Sequence, residues 1–171
     1  NMRRSLFGDK RVRQAMAHLI DREKMNRTLM YSQYFMQRSI WEDLYDTETP
    51  CKNTYYEFSP VKARTLLKEA GWSPKPKTGL LEKDEKPFRF RFLSRDASAE
   101  KFLAIYNEDL KDVGIELEID KKDWAAWAKD MDEYNYDMTW ASWGAGLFKN
   151  PEPMWASKEA ERPSGFNYAG H

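Results

Sequence analysis

Few residues in this chain could do acid–base, nucleophilic or metal chemistry, and those present do not converge. A metal site needs His, Cys or carboxylate ligands meeting at one point. The two histidines are His18, inside a helical pattern, and His171 at the far end of the sequence. His18 reads as a packing residue and His171 as a solvated one. The single cysteine, Cys51, can form no internal disulfide and stands in a Pro/Lys/Asn-rich stretch, so it reads as neither ligand nor nucleophile. No Gly-x-Ser-x-Gly elbow and no cysteine–histidine context is present. The carboxylates Asp120, Asp123, Asp130, Asp132 and Glu133 flank one short predicted helix, where capping and solvation account for them before catalysis does. Trp143-Gly144-Ala145-Gly146 lacks the third glycine and the lysine–hydroxyl pair of a phosphate loop. Asn26-Arg27-Thr28 is a formal glycosylation sequon, discounted because it falls in a predicted helix. These exclusions leave no expected cofactor, metal or catalytic set. What remains is binding by aromatic rings: Trp140, Trp143, Phe148 and Trp155 crowd one span, beside Trp124 and Trp127. Rings offer large contact area at small entropic cost. Part of this set belongs to a core, while Trp143 and Phe148 read equally as core or as a surface that stacks on a ligand.

Partners are narrowed by charge and length. Lys and Arg number 28 and so do Asp and Glu, whereas a phosphate-binding surface shows as a basic excess, so nucleic acid is not the expected partner. The best basic cluster, Lys10-Arg11-Val12-Arg13, reads as a solvated first helical turn. No apolar run approaches the roughly 20 residues of a membrane span. At 171 residues the chain is one domain, or one lobe of something larger, and can bury about 70% of its unfolded surface. It opens on Asn1-Met2-Arg3-Arg4 and stops at Asn167-Tyr168-Ala169-Gly170-His171 with no closing element, which reads as an excised segment. The missing targeting signal is therefore no sign of a cytoplasmic protein.

The elements that would hold the aromatic span follow from periodicity. Asp9 is the expected cap of a helix to about Ile20, with Val12, Ala15, Met16 and Leu19 on one stripe. Asp21 caps a second helix over residues 22–30. Residues 31–56 lack periodicity and read as a long surface excursion, with one helical turn near residues 40–44, suited to covering a neighbouring domain. Ser59-Pro60 restarts a helix whose face is Ala63, Leu66, Leu67 and Ala70, and Gly71 ends it in the left-handed position, with Trp72 folding back. Residues 73–87 read as a loop or β-turn excursion. Phe88 to Leu93 is the first clear strand, with phenylalanines on one face and arginines on the other. An amphipathic helix over residues 98–113 and a strand over 115–119 follow. Then come an Asp123-capped helix to about Met131 and a third strand in which Tyr136, Met138 and Trp140 point one way. The result is α/β: two helices, a third capped helix, then a small βαβαβ sheet, with right-handed crossovers. In such sheets ligands sit beyond the carboxyl ends of the strands, where the connection order reverses. Residues 142–148 belong at that edge, and the tail with Pro151, Pro153, Trp155 and Pro163 is not expected to pack as a unit by itself.

Four stretches in order resemble one family. Phe7 to Glu23 (FGDKRVRQAMAHLIDRE) resembles the D-x-R-V-R-Q-A … I-D-R-E helix pair of the extracellular solute-binding proteins, family 5, receptors of oligopeptide, dipeptide and nickel ABC importers. Ser59 to Trp72 (SPVKARTLLKEAGW) is similar to that family's D-P-x-K-A-x-x-L-L-x-E-A-G-Y/W. Leu110 to Ile115 (LKDVGI) matches its L-x-x-x-G-I, and Tyr136 to Trp143 its f-D-hydrophobic … W strand. The YejA-like branch has the nearest flavour. The resemblance implies a periplasmic-binding-protein-like lobe, with residues 1–171 forming the carboxyl-terminal-side lobe of a two-lobe clamshell. It also implies a periplasmic or extracellular place at the cell envelope, and partners: a peptide or peptide-like ligand, the other lobe of the same protein, and an ABC permease. Trp143 is the position it carries over as ligand-lining, with Gly144, Ala145, Gly146 and Phe148 as the rest of that wall. Gly146 stands where peptide binders of the family often place an aspartate for the ligand's α-amine, which leaves Arg95 and Asp96, past the first strand, as sources of charged contacts. Two rivals remain from the residues alone, a catalytic α/β domain and a stand-alone interaction module. The first lacks a converging catalytic set and the second rests only on the 31–56 excursion and the aromatic tail.

Overall fold

A computed structural model of the chain describes residues 1–39, 42, 45–142, 150–162 and 165–170. The expected helical turn near residues 40–44 lies for the most part outside them.

Helical caps drawn from side chains start the amino-terminal half. A short helix α1 (Ser5–Gly8) precedes α2 (Lys10–His18), where Asp9 accepts from the Arg11 N–H, and α3 (Arg22–Leu29), where Asp21 accepts from Lys24. α4 (Pro60–Glu69) begins at Ser59, whose side chain accepts from Lys62, with Pro60 in the first turn. Each cap satisfies a donor that the first turn would leave orphaned. Gly71 then takes φ +91°, and the Trp72 N–H bonds back to Leu67, which lays Trp72 against Phe88 at 4.5 Å between ring centroids.

Residues 73–87 are more ordered than a loop. β1 (Ser73–Pro74), β2 (Leu81–Lys83) and β3 (Lys86–Pro87) form a small antiparallel sheet in the order β1-β2-β3. Asp84 and Glu85, both at positive φ, make its tight turn without glycine. This sheet docks on the main body where the Leu81 N–H bonds Gly114, and a Cβ at Gly114 would lie 2.4 Å from the Gly79 carbonyl. The glycine is thus required by close approach as well as by its φ of +83°.

The main sheet is wholly parallel in the order β5-β4-β6. β4 (Arg89–Ser94) lies between β5 (Glu116–Lys121), paired along its length, and β6 (Met138–Thr139), paired only at Phe92↔Met138 and Leu93↔Thr139. α5 (Glu100–Asp112) joins β4 to β5, and α6 (Trp124–Asp132), capped by Asp123, joins β5 to β6. They cover opposite faces. Leu103, Tyr106 and Leu110 of α5 pack with Phe90, Phe92, α2 and α4 in the large core, while Met131 of α6 packs with Leu93 and Tyr136 in a smaller one. The expected βαβαβ arrangement is present.

One expectation is corrected. The third strand does not alternate from Tyr136 onward. A bend at Asp137 sends Tyr136 into the Leu93 cluster and Met138 to the opposite face, and the Asp137 carboxylate, not a backbone carbonyl, accepts from the Arg91 N–H at 2.8 Å. The tail is held by the rest of the chain. After α7 (Glu152–Trp155) and α8 (Ser157–Ala160), Asn167 is fully buried, and the Tyr134 and Tyr136 hydroxyls donate to the carbonyls of Asn167 and Tyr168. The carbonyl acceptors of a nonrepetitive chain are satisfied here by two tyrosines far away in sequence.

Candidate functional site

Strand order reverses at β4. The chain leaves it to one side for β5 and returns past it to β6, so the two connecting helices cover opposite faces, α5 on one and α6 on the other. A crevice of about 380 Å³ opens at the carboxyl ends of β4 and β6. Its floor is Leu93, Ser94 and Thr139, and its walls carry Phe102 from α5, Trp124 and Trp127 from α6, Trp140 to Ser142 beyond β6, and Tyr168 from the tail. This is the position where the topology puts a ligand site in an open parallel sheet.

Hydrogen bonds fix the floor. The Thr139 hydroxyl donates to the Leu93 carbonyl at 2.9 Å, adding a side-chain tie where the β4–β6 ladder has only two pairs. The Lys122 N–H bonds the Ser94 carbonyl, which continues the β4–β5 pairing to the end of β4. Beneath, Arg91 pairs with Asp120 at 3.2 Å, and Lys122 lies 3.5 Å from Asp120 and 4.0 Å from Asp130 on α6. The helix bearing Trp124 and Trp127 is in this way tied to the sheet by charge as well as by Met131.

The walls are aromatic and open. Trp124 and Trp140 are 61% and 58% exposed, although rings of that size are normally buried. Trp124 stacks on Trp127 at 5.4 Å and 22°, and Trp140 lies against Phe102 at 6.0 Å. Among the described residues the crevice thus offers flat apolar faces.

Of the residues singled out in the sequence, Arg95 and Asp96 line this crevice. The Arg95 guanidinium lies over Trp124 and Trp127. Asp96 starts a single 3-10 turn (Ala97–Ala99) by accepting from the Ser98 N–H at 2.8 Å, and that backbone bond, more than the Ser98 hydroxyl or neighbouring charge, holds its carboxyl below the usual range. Trp143, Gly144, Ala145, Gly146 and Phe148 lie outside the described residues. Sequence reasoning did not single out Thr139, Phe102 or Tyr168. Phe102 and Thr139 sit in regular elements where periodicity assigns them to packing, and only the strand order reveals that their ends border open space. Tyr168 had no local signal at all.

Comparison with known proteins gives one family. The model of the bacterial extracellular solute-binding proteins, family 5 Middle, matches residues 1–164. The uncharacterized protein y4wM of Sinorhizobium fredii is 31% identical over 99% of this chain and 31% of its own length. The probable peptide-binding protein YejA of Agrobacterium fabrum is 25% identical over 99% of this chain and 33% of its own. Among solved structures, the oligopeptide-binding protein AppA of Bacillus subtilis, in complex with a nonapeptide, superimposes with a TM-score of 0.88 at 25% identity, over 100% of this chain and 34% of that one. The chain thus spans about a third of the length of the relatives it matches.

Proposed function

This chain belongs to the bacterial extracellular solute-binding proteins, family 5, and from that premise we propose that residues 1–171 are one lobe, on the carboxyl-terminal side, of a two-lobe receptor for an ABC importer. The receptor works outside the cytoplasmic membrane, in the periplasm or at the cell exterior. It captures oligopeptides or similar small solutes by closing its lobes and hands them to a membrane permease, without catalysing a reaction. The crevice at the ends of β4 and β6 is this lobe's share of the ligand site. Its wall comprises Trp124, Trp140 and the segment Trp143, Gly144, Ala145, Gly146 and Phe148, with Arg95 and Asp96 at the rim.

One observation carries this reading. Where the strand order reverses, two tryptophans stand more than half exposed around open space, and the same region continues into the family's tryptophan-bearing motif. A single lobe offers one wall only. A micromolar site is worth about −8 kcal/mol, and halving its contacts leaves millimolar affinity at best, so the lobe by itself should bind weakly. The experiment is a thermal-shift and calorimetry screen of the full-length protein against pooled peptides, with Trp143→Ala alongside. Stabilisation by peptide that the variant loses supports receptor and wall together. Turnover of any peptide, or no binding by any pool, would remove the peptide-receptor reading.

A further inference from the structure

In the turn that follows α3, Tyr31, Tyr34 and Phe35 are 82%, 61% and 74% exposed. The turn that shows them to solvent is tied down at several points. The Asn26 side chain donates to the Tyr34 carbonyl at 2.9 Å and accepts from the Tyr34 N–H at 3.2 Å. The Ser32 N–H bonds the Asn26 carbonyl at 3.0 Å, and Arg22 donates to the Gln37 carbonyl at 2.7 Å. Tyr31 and Ser32 take φ of +52° and +60°, a left-handed backbone that is costly for a residue with a Cβ. Such strain persists only where the surroundings over-determine it, and it collects at sites with a task. Here its result is three rings held open to water.

The charge around the turn is one-sided. The whole chain balances 28 basic against 28 acidic side chains, but from Arg22 to Arg38 the basic residues Arg22, Lys24, Arg27 and Arg38 meet a single acid, Glu23. Lys24 is committed to Glu108 and Asp109 of α5, at 3.5 and 3.6 Å. Arg27 and Arg38, which flank the rings in sequence, are exposed. Glu42, the next acid along the chain, is turned to the N–H groups of Arg38 and Ser39. Rings this open project from the surface instead of lining a groove, so a protein partner would need a hollow shaped to receive them. A layer of lipid headgroups moulds itself to such a tip. Aromatic rings settle at headgroup depth, and arginines are drawn to anionic lipid.

We propose that this turn is a membrane-contact site, by which the receptor touches an anionic lipid surface. Tyr31, Tyr34 and Phe35 enter the headgroup layer, and Arg27 and Arg38 pair with lipid phosphates. The inference rests on the receptor working at the outer side of the cytoplasmic membrane, and it does not involve the crevice. Three rings and two guanidiniums give a weak and reversible hold. Delivery to a permease needs that kind of hold, since the receptor has to search along the surface and then leave it.

Flotation of the full-length protein tests it, with vesicles of phosphatidylcholine alone or with about a quarter phosphatidylglycerol, at low and at high salt. Wild type should float with the anionic vesicles roughly tenfold more than with the neutral ones, and high salt should remove most of that difference. Joint replacement by Tyr31→Ser, Tyr34→Ser and Phe35→Ser should lower partition about tenfold. The peptide-induced thermal shift should stay at its wild-type value, which shows that the variant is folded. Phe35→Trp should raise partition about two- to threefold, a gain that reads out even where the triple variant fails to fold. No flotation on either vesicle, equal flotation on both, or flotation that the triple variant retains overturns the inference. Without flotation, sedimentation names the occupant. A wild-type dimer that the variant lacks makes it a second copy, and a monomeric variant with lowered peptide affinity makes it the other lobe. Flotation as expected with no peptide bound removes the peptide reading and leaves the membrane contact standing.

Discussion

On one face of β4, Phe90 and Phe92 are 1% and 3% exposed and belong to the large apolar core, where Phe90 lies 5.7 Å from Phe7 of α1 and the cluster takes in side chains of α2, α4 and α5. On the other, Arg89 pairs with Glu116 at 2.8 Å and Arg91 with Asp120 at 3.2 Å, and only Leu93 is apolar. The strand carries both sets because successive side chains point to opposite faces. The apolar face gains from being driven out of water, a non-directional force that tolerates small shifts. The charged face gains little net energy from exposed pairs, but their directional bonds fix where α6 and β6 sit. Most crevice residues hang from α6, β6 and the end of β4, with Phe102 of α5 and Tyr168 of the tail completing the walls. Stability and placement are thus divided between the two sides of one strand.

Phe90→Ala should give the largest effect, a loss of about 3–5 kcal/mol from cavity and transfer terms together, read by urea denaturation. The molecules that remain folded should bind ligand as wild type does. A change in affinity as large as the change in stability would dissolve the division. Asp137→Ala comes next and acts on the other side. It removes the acceptor of the Arg91 N–H and the partner of Arg4 at 3.5 Å, at a cost of about 1–3 kcal/mol. Because Asp137 fixes the bend that leads into Trp140, ligand affinity should fall as well. Asp137→Asn, which keeps an acceptor, should recover part of both losses.

The division also explains what could be read from sequence. The caps Asp9, Asp21, Ser59 and Asp123, the left-handed Gly71 and the strands around Phe90 and Leu117 are written locally, because a cap or an alternation spans only a few residues. The bend at Asp137 is not, since its cause is a side chain bonding a strand that lies 46 residues earlier. The small sheet of residues 73–87 escaped for another reason. Strands of two or three residues have no period to detect, and its turn uses Asp84 and Glu85 at positive φ where glycine would have given a signal. The buried Asn167 in the tail, likewise, is a polar residue in a sequence context without hydrophobic pattern. For the site, the location at the strand ends was legible from the order of elements. Which aromatics stand open was not, because the exposure of Trp124 and Trp140 depends on how α6 and β6 are placed against the rest of the fold.

Trp140→Ala sharpens the comparison from the crevice side. The ring is more than half exposed and touches Phe102 at its edge of the core, so folding stability should change by no more than about 0.5 kcal/mol. Affinity of the full-length protein for a ligand of the proposed site should fall roughly three- to tenfold, the range expected for losing one aromatic contact. Calorimetry and urea denaturation on the same sample separate the two quantities. Equal affinity with lowered stability would make Trp140 a packing residue.

The smallest effect, and the one that sets a limit on the apolar side, comes from acid. Asp9 is held down to about 2, first by the Arg11 side chain and then by the Arg11 backbone N–H that it caps. A carboxyl whose folded value lies below its unfolded one of 3.8 stabilises fully above the unfolded value and loses that contribution as pH falls through the folded one. The difference in melting temperature between wild type and Asp9→Ala should therefore be constant above about pH 5 and shrink between pH 4 and 2. Asp9 starts α2, whose Val12, Ala15 and Met16 belong to the large core. Acid in that window should thus loosen the packed side through its helix cap. A difference that stayed constant down to pH 2 would show that the cap acts through the neutral side chain as well, and that directional bonds contribute to the packed side independently of charge.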